Sequence, residues 1–432
     1  MFFPTAAIGR SRIALIVPLL AMVCAPALAT NGYFQHGFGT RSKAMAGAGV
    51  ATGLDSLAPA VNPALLLDVG DRVDVSASFF VPMREYTASP SAGGQFPLQA
   101  GRVTSQREFF VIPAAGVSFD LGPRQAAGVA LYGNGGINTE YDDIPRLCPD
   151  GQGGFAPGRG TFCAGKAGVD LIQLFLSPTY SYAVTDRLSV GIAPIFALQR
   201  FEATGVASFA GFSGDPGALS NQGHEVSIGG GVRFGARYRV SDRWHVGTSF
   251  RPRVWMSKFD KYAGLFADGG DFDIPATFVA GTSFALTPRF TALLDFEYTW
   301  YSDIQAVGNP FARPGLLGQD GGPGFGWDDV WVLKLGAQWD ISERWTLRGG
   351  YSYADQPVQD QEVLFNTLAP GVIEHHVTGG FTYDLTRSIS VDFATFYAFK
   401  NEVSGTNPLA PDQTITLEMD QFEATAGFAW RF

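Results

Sequence analysis

The feature that most constrains this chain is a four-residue turn phrase that returns between runs of alternating apolar residues. It reads Val184-Thr185-Asp186-Arg187, Val240-Ser241-Asp242-Arg243, Leu286-Thr287-Pro288-Arg289 and Ile341-Ser342-Glu343-Arg344, with looser copies at Leu121-Gly122-Pro123-Arg124 and Leu385-Thr386-Arg387-Ser388. Asp, Pro and Ser preset or cap tight-turn geometry, so each copy marks a hairpin connection where a strand pattern stops. The copies recur about every 45 to 60 residues, enough for a strand out, a long loop and a strand back. Short connections on one side and long loops on the other specify an all-β, antiparallel transmembrane β-barrel. Six short turns join twelve strands in pairs, and one more strand at each end makes fourteen.

The alternation shows which face meets lipid. Phe290, Ala292, Leu294, Phe296, Tyr298 and Trp300 share one face, opposite Thr291, Leu293, Asp295, Glu297 and Thr299. Trp331, Leu333, Leu335, Ala337 and Trp339 repeat the pattern, as do Phe422, Ala424, Ala426, Phe428, Trp430 and Phe432. A soluble sandwich also alternates, but it seldom carries aromatics at both ends of its strands as the interfacial girdles of an outer-membrane barrel do. The strands are expected from about residue 72 to residue 432, the last two over 388–402 and 418–432, with the longest outer loop at about 137–168.

Composition agrees. Glycine (54) and phenylalanine (36) are abundant and charged residues are only 16%. An acidic chain this sparse in Lys and Arg clusters argues against a nucleic-acid partner. Arg10 and Arg12 precede the apolar stretch Ile13–Ala25, and Ala27-Leu28-Ala29 supplies a small-residue cleavage pattern, so residues 1–29 read as a secretory signal peptide. Cys24 lacks the small residue that lipidation wants just ahead of it. Downstream, no apolar run approaches the roughly 20 residues of a membrane helix. The remaining cysteines, Cys148 and Cys163, fall in one loop, and an exported chain makes a disulfide their natural state, with two free thiols as the alternative.

Residues 30–71 read differently from the rest. Small residues dominate, Ser42–Gly53 is glycine-broken, and Asn62-Pro63-Ala64 combines a favoured N-cap with a favoured first helical residue. A segment this apolar needs burial, and the lumen of the 72–432 barrel is the nearest volume, so it reads as a plug. A free periplasmic extension is the alternative.

The stretch from Asn31 to Leu66 resembles the hatch of the FadL-type outer-membrane long-chain fatty acid transporters, a family that includes hydrocarbon channels. Asn62-Pro63-Ala64 looks like its NPA motif. Gly133-Asn134-Gly135-Gly136 through Tyr141 looks like its third strand, and Arg348–Tyr353 with Gln356-Pro357-Val358 resembles a late-strand phrase. The resemblance implies a fourteen-stranded barrel with a hatch, uptake of hydrophobic molecules captured at outer loops, and sideways release through a kink in strand three at Gly133, Gly135 and Gly136. It points to long-chain fatty acids as ligand, with an alkane or an aromatic hydrocarbon as the alternative. One departure from the family is the loop between strands five and six, only about 204–222 here. The alternative for the three glycines is that they merely begin an outer loop.

An apolar ligand needs apolar contacts, about 0.8 kcal/mol per buried CH₂, and a few polar groups for a head. Phe209, Phe212, Leu265 and Phe266 are the candidate outer contacts, unless they pack on one another. Lumen-facing cations by alternation are Arg251, Arg253, Lys334, Arg348 and Arg431, with Lys334 and Arg348 the chosen ligand contacts; Asp295, Glu297, Asp392 and Glu423 are acids that could pair with them. None of the histidines makes a metal-ligand spacing of the HExxH kind, and no GxSxG elbow exists, so no metal, cofactor or catalytic residue is assigned. A hydrolase assembled from separate strands and a water-filled porin are the competing readings. The expected partners are a hydrophobic ligand, outer-membrane lipid and the barrel-insertion machinery, read through Phe432, with the protein a monomer.

Overall fold

The structure, a computed structural model, describes residues 31–150, 152 and 154–432. The expected leader and its cleavage site lie outside the described residues. Fourteen long strands form the wall: β1 (Arg72–Ala88), β2 (Phe110–Gly122), β3 (Gln125–Tyr141), β4 (Ala167–Ala183), β5 (Leu188–Thr204), β6 (Glu225–Ser241), β7 (Trp244–Arg251), β8 (Thr277–Thr287), β9 (Phe290–Thr299), β10 (Val330–Asp340), β11 (Trp345–Ala354), β12 (His375–Asp384), β13 (Ile389–Asn407) and β14 (Ala410–Arg431). Each pairs antiparallel with the next. β14 returns to β1 in a continuous register from Arg72↔Arg431 to Ala88↔Ile415, which closes the barrel. Two short strands, Gly101–Thr104 and Trp255–Met256, extend this sheet locally.

The repeated phrase has a physical cause. The hydroxyls of Thr185, Ser241, Thr287 and Ser342 accept from the backbone N–H of Arg187, Arg243, Arg289 and Arg344 at 3.2–3.3 Å, and Thr386 accepts from Ser388 in the same way. The side chain thus closes the turn that the backbone needs. The faces divide as alternation requires. Leu294, Phe296, Leu333, Leu335, Phe422 and Phe428 are exposed on the outside, whereas Leu293, Asp295, Val332, Lys334, Glu423 and Thr425 are buried within.

Two boundaries differ from the sequence expectation. In place of a loop over 403–417, β13 and β14 continue outward as a hairpin that turns at Pro408-Leu409. Thr414–Leu417 alternates polar and apolar residues, Ile415 and Leu417 are fully buried, and Gln413 ties Asn407 (2.9 Å) to the Leu98 carbonyl (2.8 Å). Nearby glycine and proline hide that alternation in the sequence. The longest outer link is 300–329, because β3 runs on to Tyr141 and shortens the link expected to be longest.

The described part of the N-terminal segment, from Asn31 onward, runs through the interior and is mostly buried. It contains a helical turn at Thr40–Lys43 and 3-10 turns at Ala58–Ala60 and Pro63–Asp68. The last turn starts as Asn62-Pro63 dictates: Asn62 Oδ1 accepts from Ala64 N at 2.9 Å, while its Nδ2 donates to the carbonyls of Val50 (2.8 Å) and Ala236 (3.0 Å). Arg41 pairs with Asp392 at 3.0 Å and Lys43 with Glu423 at 2.7 Å. Asp295 accepts from the backbone of Gly49 and Val50 at 2.7 and 2.8 Å. Close approach is possible because the wall is bare where the segment touches it: a Cβ at Gly235 would lie 2.0 Å from Asn62 Oδ1.

Candidate functional site

The wall is discontinuous at one place. β3 pairs with β2 only as far as Tyr132, opposite Ala114. Beyond it, Pro113 to Phe110 of β2 stay paired with β1 alone, while β3 follows β4 to Tyr141 with a bulge at Asn134. The freed edge of β3 is taken up from inside by the N-terminal segment. Gly136 N donates to the Tyr33 carbonyl at 2.9 Å, Gln35 N donates to the Asn134 carbonyl at 3.3 Å, and Phe34 bridges Gly135. The side chain missing at Gly135 permits this contact, since a Cβ there would meet Tyr33 O at 2.0 Å.

Directly beside this edge lies a small cavity whose lining includes Phe34, Phe38, Val61, Asn134, Arg233, Arg251, Val279, Glu297 and Lys334, with about 30 Å³ of free space. That holds a water and no acyl chain. Arg251, 1% exposed, donates to Asn134 Oδ1 at 2.8 Å and to the Pro275 carbonyl at 2.9 Å, and its guanidinium faces the rings of Phe34 (5.0 Å) and Phe175 (5.4 Å). Arg233 is also buried and reaches the Val61 carbonyl at 3.3 Å and Ser249 at 3.5 Å. Among the described residues neither arginine makes an ion pair, and the Nε of each lacks a partner. Lys334 pairs with Glu297 at 2.8 Å and also donates to the His36 carbonyl at 3.2 Å. The lining therefore carries three cations against one carboxylate. Burial, followed by neighbouring His376, Lys43 and Lys334, holds the His36 imidazole well below its ordinary range and keeps it neutral.

An apolar path connects this cavity with the outer loops. Phe266 lies 4.7 Å from Phe272, Phe272 lies 6.1 Å from Tyr33, and Tyr33 lies 4.8 Å from Phe34, measured between ring centroids. Leu265 is buried beside Phe266 in the same apolar cluster. Phe209 is buried in a second knot with Phe96 (4.8 Å) and Phe162 (5.3 Å), with Phe212 at its margin. These aromatics are packed on one another in a canopy of loops and are not free on its surface. In the loop between β3 and β4, Cys148 and Cys163 form a disulfide with Cα atoms 5.8 Å apart.

The candidate cations separate. Lys334 joins Arg251 at the cavity. Arg348 lies elsewhere, donating to Gln338 at 2.9 Å and Thr382 at 2.6 Å. Arg253 is not in the lumen: β7 ends at Arg251, alternation lapses, and Arg253 stacks over Trp255 at 5.1 Å, 3.7 Å from Asp273. Arg431 sits at the rim with Asp384 at 3.2 Å. Asp392 and Glu423 are taken by cations of the N-terminal segment, so they do not neutralise wall cations. Sequence reasoning missed Arg233 and Phe34. Arg233 is in phase with inward Ser227, a signal blurred by Gly229–Gly231; Phe34 carries no strand pattern at all.

A family model for the outer membrane protein transport proteins (OMPP1/FadL/TodX) matches residues 21–429. No curated protein matches the chain. Among solved structures, the toluene transporter TodX of Pseudomonas putida is 18% identical, covering 92% of this chain and 99% of its own, with a TM-score of 0.65. The toluene transporter TbuX of Ralstonia pickettii is 19% identical, covering 92% and 99%, with a TM-score of 0.63. A FadL homologue of Pseudomonas aeruginosa is 15% identical, covering 93% and 100%, with a TM-score of 0.67. The chain belongs to the OMPP1/FadL/TodX family of outer membrane transport proteins, and its barrel spans the outer membrane of a Gram-negative bacterium.

Proposed function

We propose that this family member is a monomeric uptake channel for hydrophobic molecules that carry a carboxylate, with long-chain fatty acids as the ligand class. The observation that carries the reading is the buried pair Arg233 and Arg251, which hydrogen-bonds only to neutral acceptors beside a cavity that Phe34 and Phe38 help to line. Burying two uncompensated guanidinium groups is costly, and a carboxylate arriving at that point offsets the cost. The aromatic path from Phe266 to Phe34 supplies the apolar contacts for the tail.

Residues 30–71 act as a hatch. The cavity is too small for the ligand while the segment occupies the freed edge of β3, so passage requires the segment to shift. Arg251 links the two events. It holds Asn134 and faces Phe34, the residue that bridges Gly135, so a ligand carboxylate competes for the same guanidinium and loosens the contact that covers the gap. The ligand then leaves sideways between β2 and β3 into lipid, which suits a molecule more soluble in membrane than in water.

A second reading is an aromatic hydrocarbon channel, favoured by the two similar structures that are toluene transporters and by the aromatic lining. Equilibrium binding of oleate and of toluene to purified protein and to Arg251→Leu separates the two. Hydrogen bonds to charged groups contribute about 1.5–3 kcal/mol, so the variant is expected to lose about 10- to 150-fold in oleate affinity with little change for toluene. Toluene binding without oleate binding, or oleate affinity indifferent to Arg251, sinks the fatty acid reading.

A further inference from the structure

Each of the six short turns carries one exposed arginine: Arg124, Arg187, Arg243, Arg289, Arg344 and Arg387. Their backbones are held alike. The carbonyls of Arg124, Arg187, Arg243, Arg289 and Arg344 each accept a hydrogen bond of 2.8–2.9 Å from the end of a neighbouring strand, at Ala183, Arg239, Ala285, Asp340 and Asp384. Five of the six side chains are left unused. Among the described residues, Arg124 faces Asp186 at 3.6 Å, and the other five guanidinium groups make no ion pair or side-chain hydrogen bond. In four of the turns the geometry needs the hydroxyl two residues before the arginine and explains nothing about why a cation stands at that place.

The residue three positions before each of the first five arginines, and two before Arg387, is aliphatic. Leu121, Val184, Leu286, Ile341 and Leu385 are 37–55% exposed. On the following strand starts stand Trp244 and Trp345, 42% and 39% exposed on the same outer face. Five of the six turns thus present an exposed apolar residue continuous with the lipid-facing belt, the equivalent Val240 being half-buried, and all six carry a cation just beyond it. An apolar body with a cationic tip at its edge fits the boundary between acyl chains and phosphates. A soluble acidic partner would use the arginines and leave the exposed aliphatic residues unexplained. The turn phrases contain three acids, Asp186, Asp242 and Glu343, against the six arginines, so the phrases themselves keep an excess of positive charge.

We propose that the six turn arginines form a ring that binds the phosphates of periplasmic-leaflet phospholipids and thereby fixes the depth of the barrel. The height at which the β2–β3 gap meets the bilayer follows from that depth.

The test compares full-length mature protein with the Arg187→Gln/Arg243→Gln/Arg289→Gln/Arg344→Gln variant and its all-lysine counterpart. Titration with phosphatidylglycerol is followed by native mass spectrometry, and the depth of Trp244 and Trp345 is read by quenching with chain-brominated phosphatidylglycerol in vesicles. Removing four surface cations is expected to weaken lipid retention about tenfold or more and to shift the quenching depth, while the lysine variant keeps both. If the quadruple variant fails to give a heat-modifiable barrel, Arg187→Gln/Arg344→Gln carries the comparison with a smaller loss in the same direction. Unchanged lipid retention and depth in a folded glutamine variant overturn the proposal, as does a loss confined to binding of an acidic peptide.

Discussion

Replacing Gly135 with valine tests whether the contact between the N-terminal segment and β3 is the closure of the gap. Gly135 is not in the left-handed region of backbone space, so the effect of a side chain there is contact alone. The Cβ would lie 2.0 Å from Tyr33 O, against 3.4 Å for ordinary contact, so the segment has to retreat by about 1.4 Å. That retreat stretches the Gly136–Tyr33 hydrogen bond from 2.9 Å and the Gln35–Asn134 bond from 3.3 Å beyond useful length. At about 1 kcal/mol each, their loss shifts the balance between covered and uncovered gap by about 2 kcal/mol, or about thirtyfold. Gly349→Ala is the control, since its Cβ would sit 3.8 Å from Thr378 O. Single-channel conductance in planar bilayers and protease sensitivity of residues 31–70 read the outcome. The valine variant is expected to show brief open events and faster cleavage, and the control neither. A folded Gly135→Val barrel with wild-type conductance and wild-type protection would refute the reasoning.

Three further outcomes follow from the same contacts. Asp55, in the N-terminal segment, is pushed up to about 7 by burial and then by Asp74, against Arg72 and Arg41. Because its packed-state value is raised, the stability it lends the packed segment is full below about pH 4 and is lost as pH rises through about 7, so hydrogen exchange of residues 50–60 should quicken across that window and Asp55→Asn should flatten the change. Asn62→Ala removes the cap of Pro63–Asp68 together with two bonds to carbonyls, and should cost about 1–2 kcal/mol of local stability, seen as earlier proteolysis of the segment from an intact barrel. Reducing Cys148–Cys163, which closes a loop of separation 15, should free the 142–166 link by about 3 kcal/mol by the chain-entropy relation and leave the heat-modified gel shift of the barrel unchanged.

Much of this architecture is written in local pattern. A turn that needs a hydroxyl or proline at one place, and strands whose period of two separates lipid from lumen, can be read from one chain without knowing what pairs with what. Strand number, the outward faces and the helical start at Asn62-Pro63 belong to that class, because each depends on residues within a few positions of one another. The β13–β14 overhang was hidden because Gly405 and Pro408 interrupt a pattern that distant residues 96–98 stabilise. The cavity is of the other class. Whether Arg251 meets an acid or Asn134, and whether Asp392 serves a wall cation or Arg41, is decided by which of fourteen strands and which stretch of the interior segment arrive together in space. The gap in the wall is likewise a tertiary decision. Gly135 leaves room for the interior segment where β3 departs from β2, but only the backbone of Tyr33 to Gln35 arriving from the interior satisfies the hydrogen bonds that the departure exposes.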